Sequence, residues 1–350
     1  MRNTTSFAFV LALALHAVLI AQTPNERTGG NQTTPIQTID ARTTGFQKLD
    51  GYMPLYWDQK TGSLWMEINK FDTEMLYSTG LTAGLGSNDI GLDRGQSGQG
   101  RVVKFQRIGP RVLMVQPNYT FRASSTNPDE RRAVEDAFAK SILWGFTVGA
   151  ETDGRVLVDA TDFFMRDAHN VIPRLRPGTF RVDRTRSAID MPGTKAFPKN
   201  TEVDVIVTFA NDGAGGGRGG GGGPAQGPPS VGSPIPGGGF GGGMFSGTVA
   251  SVTPSPDAVT LREHHTFAEL PDGNYMPRLA DPRAGYFGLQ YVDYAAPLGT
   301  TMVQYYIQRH RLEKVDPSAA VSEVKKPITY YVDRGTPEPI RSALLEGARW

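Results

Sequence analysis

The chain has 350 residues, a formal net charge of +1 and no cysteine. That length allows about two to three domains, and the near-zero charge gives no electrostatic footprint for a nucleic-acid partner. The missing cysteine excludes disulfides, thiolate metal sites, a cysteine nucleophile and a lipid-modified N-terminal cysteine.

Arg2 and the apolar run Phe7–Ala21 read as a secretory signal, too short to span a bilayer comfortably. Residues 1–21 are therefore expected to be removed, leaving an exported protein in the periplasm or outside the cell, with no membrane contact after cleavage. The Thr- and Gln-rich stretch 22–44 reads as a flexible tether. Folding is expected to begin near Gly45, where Phe46, Leu49, Tyr52, Leu55 and Trp57 are too apolar for a linker.

Ser63–Ile68 alternates in polarity and Glu74–Thr79 follows after a short polar turn, which predicts a hairpin between them. Gly80–Gly100 is glycine-rich and carries Asn88, Asp89 and Asp93. It lacks the lysine-serine/threonine ending of a P-loop and the ligand spacing of a calcium loop. It reads as a long ordered surface loop that uses Gly, Asn and Asp for positive φ. Arg101–Ile108 and Arg111–Gln116 alternate around Gly109-Pro110 and predict a second hairpin, with Tyr119–Ala123 as a third strand.

The period then changes. Asn127 suits an N-cap, Pro128 the first helical position and Asp129 and Glu130 the first turn, with Val134, Phe138 and Ile142 on one face. Phe146–Ala150 and Arg155–Asp159 flank Asp153-Gly154, a hairpin signal. Thr161–Leu175 predicts a short helix packed by Phe163, Phe164 and Val171. His169 within it has no partner histidine at ligand spacing and reads as structural or surface. Glu202–Phe209 is a clean strand. Residues 213–247 are too glycine-rich to bury apolar surface and read as a flexible insertion between two neighbouring strands, the second resuming at Thr248–Val252.

Val259–Leu270 predicts a strand in which His264 and His265 point to opposite faces and cannot grip one metal together. Asp281-Pro282-Arg283 reads as a proline-locked turn with a local ion pair, and Met302–Gln308 as a further strand. At the end, Ile328–Val332 reads as a short strand and Thr336-Pro337-Glu338 as a helix start. The helical stripe Ile340, Leu344, Leu345 and Ala348 is expected to lie exposed or poorly packed, the end of the chain reading as the first strand and helix of a domain that has been cut. No H-E-x-x-H helix and no G-x-S-x-G elbow occurs in the sequence. The fold expected from this pattern is α+β and mainly antiparallel β, with hairpin-rich packed sheets and one or two edge helices.

Six stretches carry a resemblance to a known family: Tyr52–Ile68, Gly80–Gln96, Val102–Ala123, Asp153–His169, His264–Phe287 and Pro327–Trp350. In that order they resemble the N-terminal region of bacterial exported zinc-dependent metalloproteases, in which a domain of unknown function precedes a metzincin-like catalytic domain. The resemblance implies that residues 45–325 are an accessory or propeptide-like region and that 326–350 begin a zincin-like catalytic domain. It implies zinc in the full-length parent, bound by an H-E-x-x-H-x-x-G-x-x-H helix to which no position here corresponds. No catalytic, cofactor or metal residue is therefore carried over, and the chain alone is expected to be inactive. The implied partners are the chain's own downstream catalytic domain and, through it, a peptide or protein substrate. His264, His265, Asp281 and Arg283 are the candidates for inhibitory or interdomain contacts. The alternative is a non-catalytic exported β-rich binding or scaffold module.

Overall fold

The structure, a computed structural model, describes residues 36–86, 90–212 and 247–349. The expected signal segment, the glycine-rich insertion apart from Gly247, and Asn88 and Asp89 lie outside them. A short helix, α1 (Ile39–Arg42), opens the fold, followed by strands β1 (Gln47–Leu49), β2 (Leu55–Asp58), β3 (Ser63–Ile68), β4 (Met75–Ala83), β5 (Arg101–Ile108), β6 (Arg111–Gln116) and β7 (Phe121–Arg122). Helix α2 (Pro128–Ala137) precedes β8 (Ser141–Thr152) and β9 (Arg155–Asp159), and α3 (Thr161–Phe164) leads into β10 (Phe180–Val182), β11 (Ala188–Phe197) and β12 (Asn200–Asn211). Past the insertion come α4 (Val249–Val252), β13 (Ala258–Glu269), β14 (Gly288–Asp293), β15 (Val303–Ile307) and α5 (Ile340–Gly347). The fold is β-rich α+β, mainly antiparallel.

Among the described residues twelve strands form one sheet in the order β1-β2-β3-β9-β8-β6-β5-β4-β13-β12-β10, with β11 also on β12. All these pairs are antiparallel. The sheet curls until its ends meet: Tyr52 N donates to Phe197 O at 2.8 Å and Met53 N to Thr201 Oγ1 at 3.0 Å. Alternation then places Leu64, Met66, Val156, Val158, Val203, Val205, Leu261 and Phe267 in one continuous core. On the outside of β3 and β9, α1 seats Ile39 against Tyr56, Trp65, Ala150 and Leu157. Folding therefore starts inside the stretch expected to be a tether: Thr38 caps α1, and Ile39 buries enough apolar surface to order it. The residues Gln37–Trp350 group as one unit.

The expected turns at Gly109-Pro110 and Asp153-Gly154 are both hairpins, with Gly109, Asp153 and Gly154 at positive φ. Asn127 caps α2, its side chain accepting from Asp129 N at 3.0 Å. Several expectations need correction. β3 pairs with β2 and β9 and β4 with β13 and β5, so the expected hairpin between β3 and β4 does not form. β7 leaves its neighbours and pairs parallel with β14, which pairs with β15 in a separate three-stranded sheet. α2 stops at Phe138, whose ring stacks on Phe121 at 4.0 Å, while Ile142 belongs to β8 and is exposed.

The expected helix 161–175 is only α3 and a 3-10 turn at Ile172–Arg174, because Asp167 takes the N–H groups of Val171 and Ile172 into a local loop. Phe163, Phe164 and Val171 are nevertheless fully buried. Residues 249–252 are helical and not a strand: β12 already has β13 on one side and β10 and β11 on the other, leaving no edge to extend. Ile328–Val332 forms no strand, since β propensity needs a partner edge and Tyr330 and Tyr331 lie in solvent. α5 starts at Ile340, later than the helix start expected at Thr336-Pro337-Glu338. Its stripe of Ile340, Leu344, Leu345 and Ala348 is exposed, as expected.

Candidate functional site

His264 and His265 do point to opposite faces of β13. Outside, His264 lies between two carboxylates of β12: Nδ1 meets Asp204 Oδ1 at 2.5 Å and Nε2 meets Glu202 Oε2 at 2.7 Å. The register explains this, because Asp204 pairs directly with His264 and Glu202 sits two residues along the same face. Thr266 and Asn200 donate to Glu202, and Thr82 donates to Asp204 at 3.2 Å. Burial alone would lower the His264 pKa, but hydrogen bonds and charge from Asp204 and Glu202 outweigh it and raise the value to about 9. Burial would raise Glu202, and the bonds from His264, Thr266 and Asn200 bring it below its ordinary value. The imidazolium is therefore held at both nitrogens. The two carboxylates sit at opposite ring edges and do not converge on a common point.

Inside, His265 is fully buried. Nε2 lies 3.0 Å from Phe164 O and Nδ1 2.9 Å from Tyr77 Oη, which fixes a neutral ring donating through Nε2 and accepting from the phenol. Burial and the charge of Arg166 push His265 down to about 3. Arg166 donates to Tyr77 Oη at 3.1 Å, and burial lifts that phenol to about 12. Beside them Glu263, also fully buried, accepts the N–H groups of Ala168 at 2.9 Å and His169 at 3.2 Å through Oε2, while its Oε1 has no partner among the described residues. Burial and the nearby Asp167 raise Glu263 to about 8.

Asp281 and Arg283 pair with each other in an exposed turn at 2.5 Å, which holds Asp281 down at about 2. Of the four candidate contact residues, then, His264 and Arg283 have their charges matched locally, and His265 exposes no atom to a partner. Among the described residues no group of three or more His, Asp or Glu is arranged to hold a metal ion.

The glycine-rich stretch after β4 is less of a surface loop than expected. Gly86, Gly91 and Gly95 have positive φ, but Leu85, Ile90 and Leu92 are buried in the main core. The chain then returns along β4, with Leu81 N donating to Gln96 O at 2.9 Å and Gly98 N to Thr79 O at 2.7 Å. Between this return and the 168–170 turn lies a cavity of about 300 Å³, bordered by Arg101, His169 and Arg174. Burial and the charge of Arg174 lower the His169 pKa.

A second surface feature belongs to the end of the chain. No apolar side chain after Phe267 is fully buried among the described residues, and nineteen large hydrophobics between Met276 and Leu345 are exposed, Phe287, Leu298 and Tyr331 almost completely.

Sequence reasoning missed Glu202, Asp204, Glu263, Tyr77 and Arg166, and passed over His169 as unpartnered. The only signal was the alternation Glu202-x-Asp204 against His264-x-Thr266, which has no meaning until β12 and β13 are known to pair.

Residues 95–315 match the family described as "Domain of unknown function (DUF5117)". The chain belongs to that family. The match runs from the return of the glycine-rich loop through β15, so it contains the 168–170 turn, the His264 clamp and most of the exposed apolar surface. No curated protein and no solved structure matches the chain.

Proposed function

We propose that this DUF5117 chain is the N-terminal accessory region of an exported zinc-dependent metalloprotease, and that it acts as a folded platform for the catalytic domain. The observation that carries this reading is the split in the packing. The large core is built from residues between Tyr52 and Phe267, whereas among the described residues the later segments bury no apolar side chain fully and expose many, from Met276 to Leu345. Such a surface suits a large, apolar contact with another folded domain. The resemblance of six ordered stretches to exported metalloproteases gives that partner its chemistry, and the apolar run Phe7–Ala21 supports export.

The described residues do not fit zinc. Both nitrogens of His264 are taken by carboxylates, His265 is sealed in the core, and Asp281 is held by Arg283. In this reading the metal and the water it activates belong to the partner domain, and the part played by this chain is to hold or cap it.

Reading the gene beyond the codon for Trp350 tests the proposal. The expected result is a continuous frame reaching H-E-x-x-H-x-x-G-x-x-H, with a purified full-length product that contains stoichiometric zinc and cleaves peptide. A frame that closes without the motif refutes it. The second reading, an exported β-rich binding module with no protease domain, would then stand; the cation-lined cavity beside His169 is the observation that favours it.

A further inference from the structure

The geometry points to a binding site for a small organic carboxylate in the cavity between β4, the returning segment 96–101 and the 168–170 turn. At about 300 Å³ the cavity falls at the small end of ligand sites. Among the described residues its charged lining has one sign: Arg101, Arg174 and His169 line it, and no Asp or Glu does. Among the described residues the Arg101 side chain has no hydrogen-bond or ion-pair partner. Arg174 donates one nitrogen to Gly91 O at 2.5 Å and meets no carboxylate among the described residues. Two guanidinium forks with free donors, facing one small space, match the planar two-oxygen edge of a carboxylate.

The backbone argues against phosphate as the favoured anion. Phosphate sites are built from free backbone N–H groups at helix ends or nests. Here Gly98 N is engaged by Thr79 O at 2.7 Å, and the wall amides of Ala168 and His169 point back to Glu263. The side-chain donors turned to the cavity wall are the two arginines, with the Gln96 and Gln99 amides beside them.

The site is also preformed. A Cβ on Gly98 would lie 2.5 Å from Thr79 Oγ1 and 3.1 Å from His169 Nδ1, so glycine is what lets the return strand form this wall. Across from it, the buried carboxyl of Glu263 fixes two successive backbone amides. The His169 ring stands between the walls, 3.5 Å from Thr79 Oγ1 and 3.4 Å from Gln96 Oε1, at the outer limit of hydrogen bonding and thus free to tighten on a ligand. A rigid frame around one loosely held polar ring lowers the ordering cost of binding.

Calorimetric titration of the full chain tests the assignment, with N-acetylalanine, its amide, a tripeptide with a free C-terminus, the same tripeptide amidated, and inorganic phosphate as probes. A free carboxylate should bind at least about tenfold more tightly than its amide, and Arg101→Gln should weaken it by about tenfold with an unchanged unfolding midpoint. Arg174→Gln should do the same, guarding against an effect peculiar to one variant. Tighter binding of the tripeptide would make the ligand a peptide C-terminus, and tighter binding of N-acetylalanine a free acid; either supports the site. No binding of any probe at millimolar concentration, equal affinity for carboxylate and amide, tighter binding of phosphate, or full affinity in both arginine variants overturns it.

Discussion

Replacing His264 by Gln removes an imidazolium held between Asp204 and Glu202, and the structure fixes both the size and the pH window of the effect. The pKa of His264 rises from 6.5 to about 9 on folding. At about 1.4 kcal/mol per tenfold change in proton affinity, the clamp contributes roughly 3 kcal/mol while the ring is charged. The lowered pKa of Glu202 describes the same attraction, so the two do not sum. A raised pKa on a base means that the stabilisation is complete below the unfolded value, declines above it, and is gone once the folded value is passed. Wild-type stability should therefore fall by roughly 3 kcal/mol between about pH 6 and about pH 9.5.

Glu263 slopes the same way over a lower window, from 4.5 to about 8, because its folded pKa is also raised. The comparison is cleanest in a Glu263→Gln background. The assay is denaturant unfolding at a series of pH values, reading the midpoint at constant m. In that background His264→Gln should remove most of the decline above about pH 6.5 and leave the two proteins close in stability near about pH 9.5. An undiminished slope in the His264→Gln variant would refute the clamp as its source, and so would equal stability of the two proteins at about pH 6.

The same assay serves four further predictions. Glu263→Gln should be tolerated within about 1 kcal/mol near about pH 4.5, where the carboxyl is largely protonated in both states, and should become increasingly stabilising as the pH rises towards about 8, because it removes a buried carboxyl whose ionisation the fold disfavours. Phe163→Ala should cost about 3–5 kcal/mol, since that fully buried ring meets Tyr77, Trp144, Phe146 and Phe267 at centroid distances of 5.4–6.0 Å. Gly98→Ala should cost about 1–3 kcal/mol, because its Cβ would press on Thr79 Oγ1 and the Thr79 carbonyl. Leu344→Ser with Leu345→Ser should shift stability by no more than about 0.5 kcal/mol, both side chains being exposed; a larger loss would show the face to be buried in solution.

The local elements were largely readable. A strand needs only alternation, a hairpin only a residue pair that accepts positive φ, and a helix start only a cap and a proline. So β5 and β6 around Gly109, β8 and β9 around Asp153-Gly154, α2 behind Asn127, and the long β12 and β13 all follow from residues within a few positions of one another. The separation of His264 from His265 follows in the same way, from the two-residue period of a strand. The exposed stripe of α5 was readable from its spacing, although not the residue on which the helix starts.

What only the tertiary structure decided is everything that depends on which strand lies beside which. β3 and β4 are consecutive in the chain but pair elsewhere, and residues 328–332 have strand composition but no edge to join. The His264 clamp needs β12 and β13 in one register, the Glu263 anchor needs the 168–169 backbone to cross the core face of β13, and the cavity needs the glycine-rich stretch to return along β4. The clamp and anchor contacts join residues between 60 and 95 positions apart. Periodicity reports the face on which a side chain lies, but the free energy that selects its neighbour comes from closing the whole sheet around a shared core.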